Sequence, residues 1–250
     1  MPYIVTPLAD TFRREFTGNS IYHGLQLKFE KRFSAGFSFL GAYMWSKAID
    51  DIIDNPPDPR NLRLERGLSD NHYPHRFVFS HNYDLPFGRG RRFLGGASRV
   101  TDALVGGWAL AGITTFSTGD RVNLSVQGNP SNAGQTDRPN QIREERLPRA
   151  QRSLTRWFDT DAFVRQPNFT FGNAPRNAVE SPGLVNFDLA VYKVFPLLEN
   201  MDLQFRAEAF NALNTPHFGN PGNQLGSSAF GVISGAGDGR TVQLGLKLRW

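Results

Sequence analysis

The chain has 250 residues, 39% of them hydrophobic and 20% charged, with a mean hydropathy of −0.41 and a formal net charge of +5. No stretch approaches the roughly 18 consecutive apolar residues of a membrane helix, and there is no cysteine, which excludes helical membrane proteins, disulfide frameworks, iron–sulfur clusters and thiol catalysis. A strand-based membrane protein passes this filter, because only alternate residues of its wall meet lipid and mean hydropathy stays low.

The opening residues, M-P-Y-I-V-T-P-L-A-D, lack the charged region and apolar core of a signal peptide. An exported protein with this sequence is therefore expected to be part of a longer one. Strand periodicity begins at Ser20, where Leu25, Leu27 and Phe29 alternate with Gln26, Lys28 and Glu30. The turn Ser34-Ala35-Gly36 leads to a second run through Phe37, Phe39, Gly41, Tyr43 and Trp45. A third has Phe77, Phe79, His81, Tyr83 and Leu85 against Arg76, Val78, Ser80, Asn82 and Asp84. The fourth starts at Trp108 and is read as one long or bulged strand to about Gln127, bent at Gly119-Asp120. The fifth alternates Phe187, Leu189 and Val191 with Asp188, Ala190 and Tyr192, and a turn is expected from Pro196 to Asn200. In the sixth, Leu203, Phe205, Ala207 and Ala209 alternate with Gln204, Arg206 and Glu208. The seventh, R-T-V-Q-L-G-L-K-L-R-W, places Val242, Leu244, Leu246, Leu248 and Trp250 on one face. No competing amphipathic helix is apparent, so the chain is predicted to be all-β.

Connection lengths point the same way. Those after the first and fifth runs are tight and the one after the third is intermediate. Those over 50–74, 128–185 and 215–239 are long. Short turns alternating with long loops characterise an up-and-down transmembrane barrel. In that architecture Leu25, Leu27, Phe29, Leu203 and Phe205 face lipid, and Gln26, Lys28, Glu30, Gln204, Arg206 and Glu208 face the lumen. The plainest role for the second set is a ladder of cross-strand ion pairs that stiffens the wall. Within the longest loop, Trp157, Phe158 and Phe163 form an aromatic cluster expected to pack as a structured rim.

Chemistry-bearing constellations are few. His72 and His75 are a weak metal pair, because Pro74 between them prevents a regular helix and no third ligand is near. Asp50, Asp51, Asp54 and Asp58 lack the spacing and glycine of a calcium loop. Gly88-Arg89-Gly90-Arg91-Arg92 has neither the lysine–hydroxyl pair nor the context of a phosphate loop, and reads as a polar turn at a membrane edge. The glycines from Gly235 to Gly239 precede a strand and not a helix, which excludes a dinucleotide fingerprint. No nucleophile elbow or triad is present, and no nucleic-acid motif accompanies the positive charge. No enzyme, cofactor or metal is implied.

Several ordered segments together resemble the barrel of Oar-like TonB-dependent outer-membrane receptors. They are Y-H-G-L-Q-L-K-F-E-K-R-F-S-A-G-F-S-F-L-G-A-Y-M-W-S-K-A-I-D-D from Tyr22, H-R-F-V-F-S-H-N-Y-D-L-P-F-G-R-G-R-R-F from His75, G-G-W-A-L-A-G-I-T-T-F-S-T-G from Gly106, N-F-D-L-A-V-Y-K-V-F from Asn186, L-Q-F-R-A-E-A-F-N-A-L-N-T-P-H-F-G-N-P from Leu203, and the terminal strand. The resemblance implies that residues 1–250 are the C-terminal part of a barrel of about 22 strands, the plugged-lumen transporter class. It implies partners in outer-membrane lipid, the barrel assembly machinery reading the strand that ends at Trp250, and, in the full-length protein, a plug domain and TonB. Neither plug nor signal peptide is expected within this sequence. Two other readings remain open at this point. One is a small porin-like barrel closed by recruiting Tyr3 to Leu8. The other is a soluble carbohydrate-binding β-sandwich burying the Leu203/Phe205 and Leu244/Leu246 faces under a second sheet.

Overall fold

The alternating runs become hydrogen-bonded neighbours in the order in which they occur. A computed structural model describes residues 17–134 and 136–250. Its long strands are β1 (Ser20–Ser34), β2 (Phe37–Asp50), β3 (His75–Asp84), β4 (Trp108–Ser117), β5 (Leu184–Leu198), β6 (Met201–Phe210) and β7 (Thr241–Arg249). Each pairs antiparallel with its sequence neighbour, and the two-residue strand Gly67–Leu68 adds to the end of β2, making an 8-stranded sheet. Among the described residues β1 pairs only with β2 and β7 only with β6, so the sheet is open. The segment Tyr3 to Leu8 lies outside the described residues.

Register fixes which residues share a face. Leu27 sits opposite Tyr43, Tyr43 opposite Phe77, and Phe77 opposite Phe116. Phe116 pairs with Val185, while further along the sheet Phe195 pairs with Leu203 and Leu203 with Leu248. A slip of one residue anywhere would move a whole strand's apolar set to the other face. Glycine is used where a ring must lie flat on the wall: Phe29 lies across its register partner Gly41, where a Cβ would collide with the ring. The β1–β2 hairpin turns at Ala35 (φ 52°) and Gly36 (φ 79°), both in the left-handed region that a tight two-residue turn requires.

Three features depart from the sequence reading. The fourth run is not one strand to Gln127. β4 stops at Ser117, and the chain leaves the sheet at Gly119, where a Cβ would overlap the carbonyl of Ser181. Residues Arg121–Val122 then pair with Val179–Glu180, and Ser125–Val126 with Gln224–Leu225, away from the wall. Second, Pro196 does not begin a turn. β5 runs through it to Leu198 with a register irregularity between Pro196 and Leu198, which accommodates a residue lacking an N–H. Third, a helix exists: α1 (Arg99–Val105) lies in the connection between β3 and β4, its N-terminus capped by Ser98 accepting from the Thr101 N–H.

The connections 51–74, 118–183 and 211–240 all leave from one end of the sheet and pack together there. Val122, Leu124, Phe158, Ala162, Phe163, Ala174 and Val179 form their core, with Trp157, Ala178 and Phe230 against it. The rings of Phe158, Phe163 and Phe230 meet edge-on at 5.2–6.1 Å. The buried core of the molecule lies largely here and not in the sheet, because a single-layer wall has nothing of its own to bury against.

Candidate functional site

The wall is the functional surface, and its two faces differ in kind. One face carries Leu25, Leu27 and Phe29 on β1, an aromatic field across the middle strands, Leu203 and Phe205 on β6, and Val242, Leu244, Leu246 and Leu248 on β7. In the field, Phe39 and Phe79 lie 5.6 Å apart, Phe77 and Phe116 6.2 Å, and Phe116 meets Phe187 edge-on at 5.7 Å. These rings pack beside one another, and among the described residues no second sheet lies over them. Leu244 and Leu246 are each 70% exposed and Leu25 49%. A continuous apolar face of this extent marks an interaction surface. Its exposure overturns the β-sandwich alternative, which needs Leu244 and Leu246 under a second sheet. Leu203 and Phe205 are half-buried, Phe205 by an edge contact with Trp108 at 6.1 Å and not by a second layer.

The opposite face is polar. Gln26, Lys28 and Glu30 lie on it with Gln204, Arg206 and Glu208. Lys28 pairs with Glu30 at 2.8 Å and Arg206 with Glu208 at 2.7 Å, each along one strand, while Arg249 reaches across to its register partner Asp202 at 2.7 Å. The ion pairs thus run mainly along strands and only once across them in this set. Gln204 stands opposite Lys247, and Glu208 opposite Gln243. On the middle strands Tyr192 donates to Asn82 Oδ1 at 2.7 Å, spanning β4 where that strand presents only Ala109 and Ala111. Trp250 follows the last paired residue of β7 and is 88% exposed.

At the long-connection end, the loops are tied to the wall and to one another by buried charge. Arg138 donates to Glu65 at 2.7 Å, both fully enclosed, which links connection 118–183 to connection 51–74. Arg176 holds Asp50 at the end of β2 and donates to the Ile52 carbonyl at 2.6 Å. Asn177 donates to Asp70 at 2.6 Å and to the Leu68 carbonyl at 2.8 Å. Asp50 apart, which the sequence offered only as a weak calcium candidate, none of these partners was legible as a site in the sequence, since no periodicity or motif relates them. Of the two histidines, His72 is buried and accepts the Ala48 N–H at 3.1 Å, whereas His75 is exposed on the other face beside the Tyr43 hydroxyl at 2.8 Å. They do not converge. Asp50 and Asp51 likewise diverge, the first to Arg176 and the second to the Asn19 backbone N–H. Burial, and then the nearby Arg121 guanidinium, push the His72 imidazole below its ordinary range, although Glu180 opposes them. The Arg143 and Arg156 guanidiniums hold the Asp159 carboxyl below the usual carboxylate range. An open hollow of about 780 Å³ lies between Asp161, Phe163, Leu225, Ser227 and Phe230 on the packed loops.

Among the described residues no group of three or more His, Cys, Asp or Glu side chains is placed to hold a metal ion. No helix is long and apolar enough to cross a membrane. The wall has two features of a strand-built membrane protein: one face is apolar, and, its two edges apart, backbone hydrogen bonds run between strands.

A family model described as outer membrane beta barrel domain matches residues 1–243. No curated protein matches the chain significantly. The match spans nearly all of the seven-strand wall, and it agrees with an antiparallel up-and-down sheet whose one face is apolar. The chain belongs to the outer membrane beta barrel domain family, and its place is the bacterial outer membrane.

Proposed function

We propose that the chain is the C-terminal barrel segment of an Oar-like TonB-dependent receptor. Leu25, Leu27, Phe29, Leu203, Phe205 and the β7 leucines face lipid, and Gln26, Lys28, Glu30, Gln204, Arg206 and Glu208 line the lumen. The short turns lie in the periplasm and the packed loops outside. In the full-length protein this wall surrounds a plug that TonB displaces, giving energy-coupled uptake of a large nutrient. The chain does no covalent chemistry. The assembly machinery reads the alternating strand that ends at Trp250.

The observation that carries the reading is the open edge of both terminal strands among the described residues. Among the described residues the first and last strands have one partner each, which supports a sector of a larger barrel, and seven long strands would form about a third of a 22-strand wall. The polar face supports it too, because a large barrel keeps a hydrated interior that charged pairs can line.

The test is cross-linking in outer membranes, with cysteines at Val5, in the segment that the small barrel would recruit, and at Gln243 on β7. The sector reading expects no bond between them, and a reading frame continuous with Met1 that encodes a plug and a TonB-engaging segment upstream. Efficient cross-linking without such a frame points instead to the self-contained small barrel.

A further inference from the structure

The connection between β3 and β4 is the exception to the short turns at its end of the sheet. It occupies residues 85–107, folds back on itself, and then forms α1. Its first half is closed by the Gly88 N–H donating to the Phe93 carbonyl at 3.0 Å and the Phe93 N–H to the Pro86 carbonyl at 2.9 Å. The Phe87 and Phe93 rings lie 5.5 Å apart. The Asp102 carboxylate on α1 then accepts the Arg89 N–H at 2.6 Å, so loop and helix form one unit.

Where this unit sits follows from two residues of the wall. Lys193 and Trp108 are register partners on the apolar face. The Lys193 ammonium donates to the α1 carbonyls of Ala103 at 2.7 Å and Asp102 at 3.3 Å, and the Trp108 indole N–H donates to the carbonyl of Leu104 at 2.8 Å. The C-terminal end of α1 is therefore bound from the apolar side of the sheet. The unit overhangs the lipid side of the wall at its rim, not the lumen.

Its surface is mixed in a definite way. Val100 is 71% exposed and Leu104, one turn on, 69%; Phe93 and Leu94 are also exposed. The same segment carries four arginines, Arg89, Arg91, Arg92 and Arg99, and one acid, Asp102, which is engaged by the Arg89 N–H; Arg92 lies over the Phe93 ring at 5.5 Å and Arg91 is 3.8 Å from Asp84 at the end of β3. All four are exposed. Exposed apolar side chains interspersed with exposed guanidiniums, on a unit tied to the apolar side of the wall, are complementary to the boundary between acyl chains and phosphate head groups. Arginine's planar fork suits phosphate oxygens.

We infer that residues 85–107 form an interfacial anchor that binds anionic phospholipid head groups of the periplasmic leaflet, with Val100 and Leu104 in the acyl boundary and the arginines on phosphate. This rests on the outward orientation of the apolar face proposed above.

The native absence of cysteine allows single labels to be placed without background. Spin labels at Val100→Cys, Leu104→Cys and, as a wall reference, Leu246→Cys would be introduced into the full chain in bilayers of phosphatidylethanolamine with phosphatidylglycerol. Labels at 100 and 104 should collide with oxygen more than with an aqueous nickel chelate. Exchanging phosphatidylglycerol for phosphatidylcholine, or changing all four arginines to glutamine, should raise their nickel accessibility at least about twofold while position 246 stays in lipid. Water-exposed labels at 100 and 104 with 246 in lipid would overturn the anchor and leave the wall reading intact. Lipid-embedded labels indifferent to both the head group and the arginines would overturn the phosphate recognition. A water-exposed label at 246 would remove the wall reading and the anchor with it.

Discussion

The Arg138 guanidinium donates to the Glu65 carboxylate at 2.7 Å, and neither side chain has appreciable contact with solvent. This pair joins two loops that are far apart in sequence at the end of the sheet where no hairpin turn holds the strands. A buried pair is costly to form but costlier to break, since removing one partner strands the other charge in a low-dielectric site. Glu65→Ala should destabilise the packed loops by about 3–5 kcal/mol. The double change Glu65→Leu with Arg138→Met should cost much less. Hydrogen exchange across 121–180 would check this, and equal losses in the two variants would show that the charge pairing is not what matters.

Acid should loosen connection 51–74 through His72. Its ring is buried, accepts the Ala48 N–H and faces the cations Arg121 and Lys47 with Glu180 in opposition, so the folded-state value lies below the ordinary 6.5. Above that pH the residue is neutral in both states and its contribution is complete. As pH falls through 6.5 toward the depressed folded value, the unfolded loop takes up a proton that the folded loop resists, and stability declines. Protease nicking between 51 and 74 should rise over this interval. His72→Gln, which keeps an acceptor for Ala48, should flatten the dependence; an unchanged slope would assign it to another group.

Gly119 is where the chain departs from the wall, packed on the Ser181 carbonyl. Gly119→Ala should cost at least about 1 kcal/mol by overpacking. Gly245, on the wall with nothing near a built Cβ, should accept alanine with little effect. Denaturant titration of the two variants compares them directly, and similar midpoints would contradict the close approach at Gly119.

The two faces of β7 should respond oppositely to charge. In the assembled barrel, Leu246→Arg on the apolar face should cost about 2–4 kcal/mol near the bilayer midplane, whereas Gln243→Arg on the polar face should be close to neutral. Equilibrium folding into bilayers measures both. Parity of effect would mean that the apolar face does not meet lipid.

Much of the wall was legible in the sequence, because a strand reports its own faces every second residue. Leu25, Leu27 and Phe29, like Val242 to Leu248, declare one side whether or not their neighbours are known, and the turn at Ala35-Gly36 sets the register of the first hairpin. Alternation says nothing once a segment leaves the sheet. Residues 121–126 look like a continuation of β4, yet their partners are Val179–Glu180 and Gln224–Leu225, chosen by contacts across the packed loops. The seven residues of α1 are too few to establish a helical period, and the helix is held by Ser98 at one end and by Lys193 and Trp108 at the other. Local periodicity therefore determined the strands, their faces and the membrane they suit. Only the tertiary structure decided how the loops close over one end, because pairs such as Glu65 with Arg138 acquire their energy only when folding removes them from water together, and on which side of the wall α1 lies, because Lys193 and Trp108 reach its carbonyls from another part of the chain.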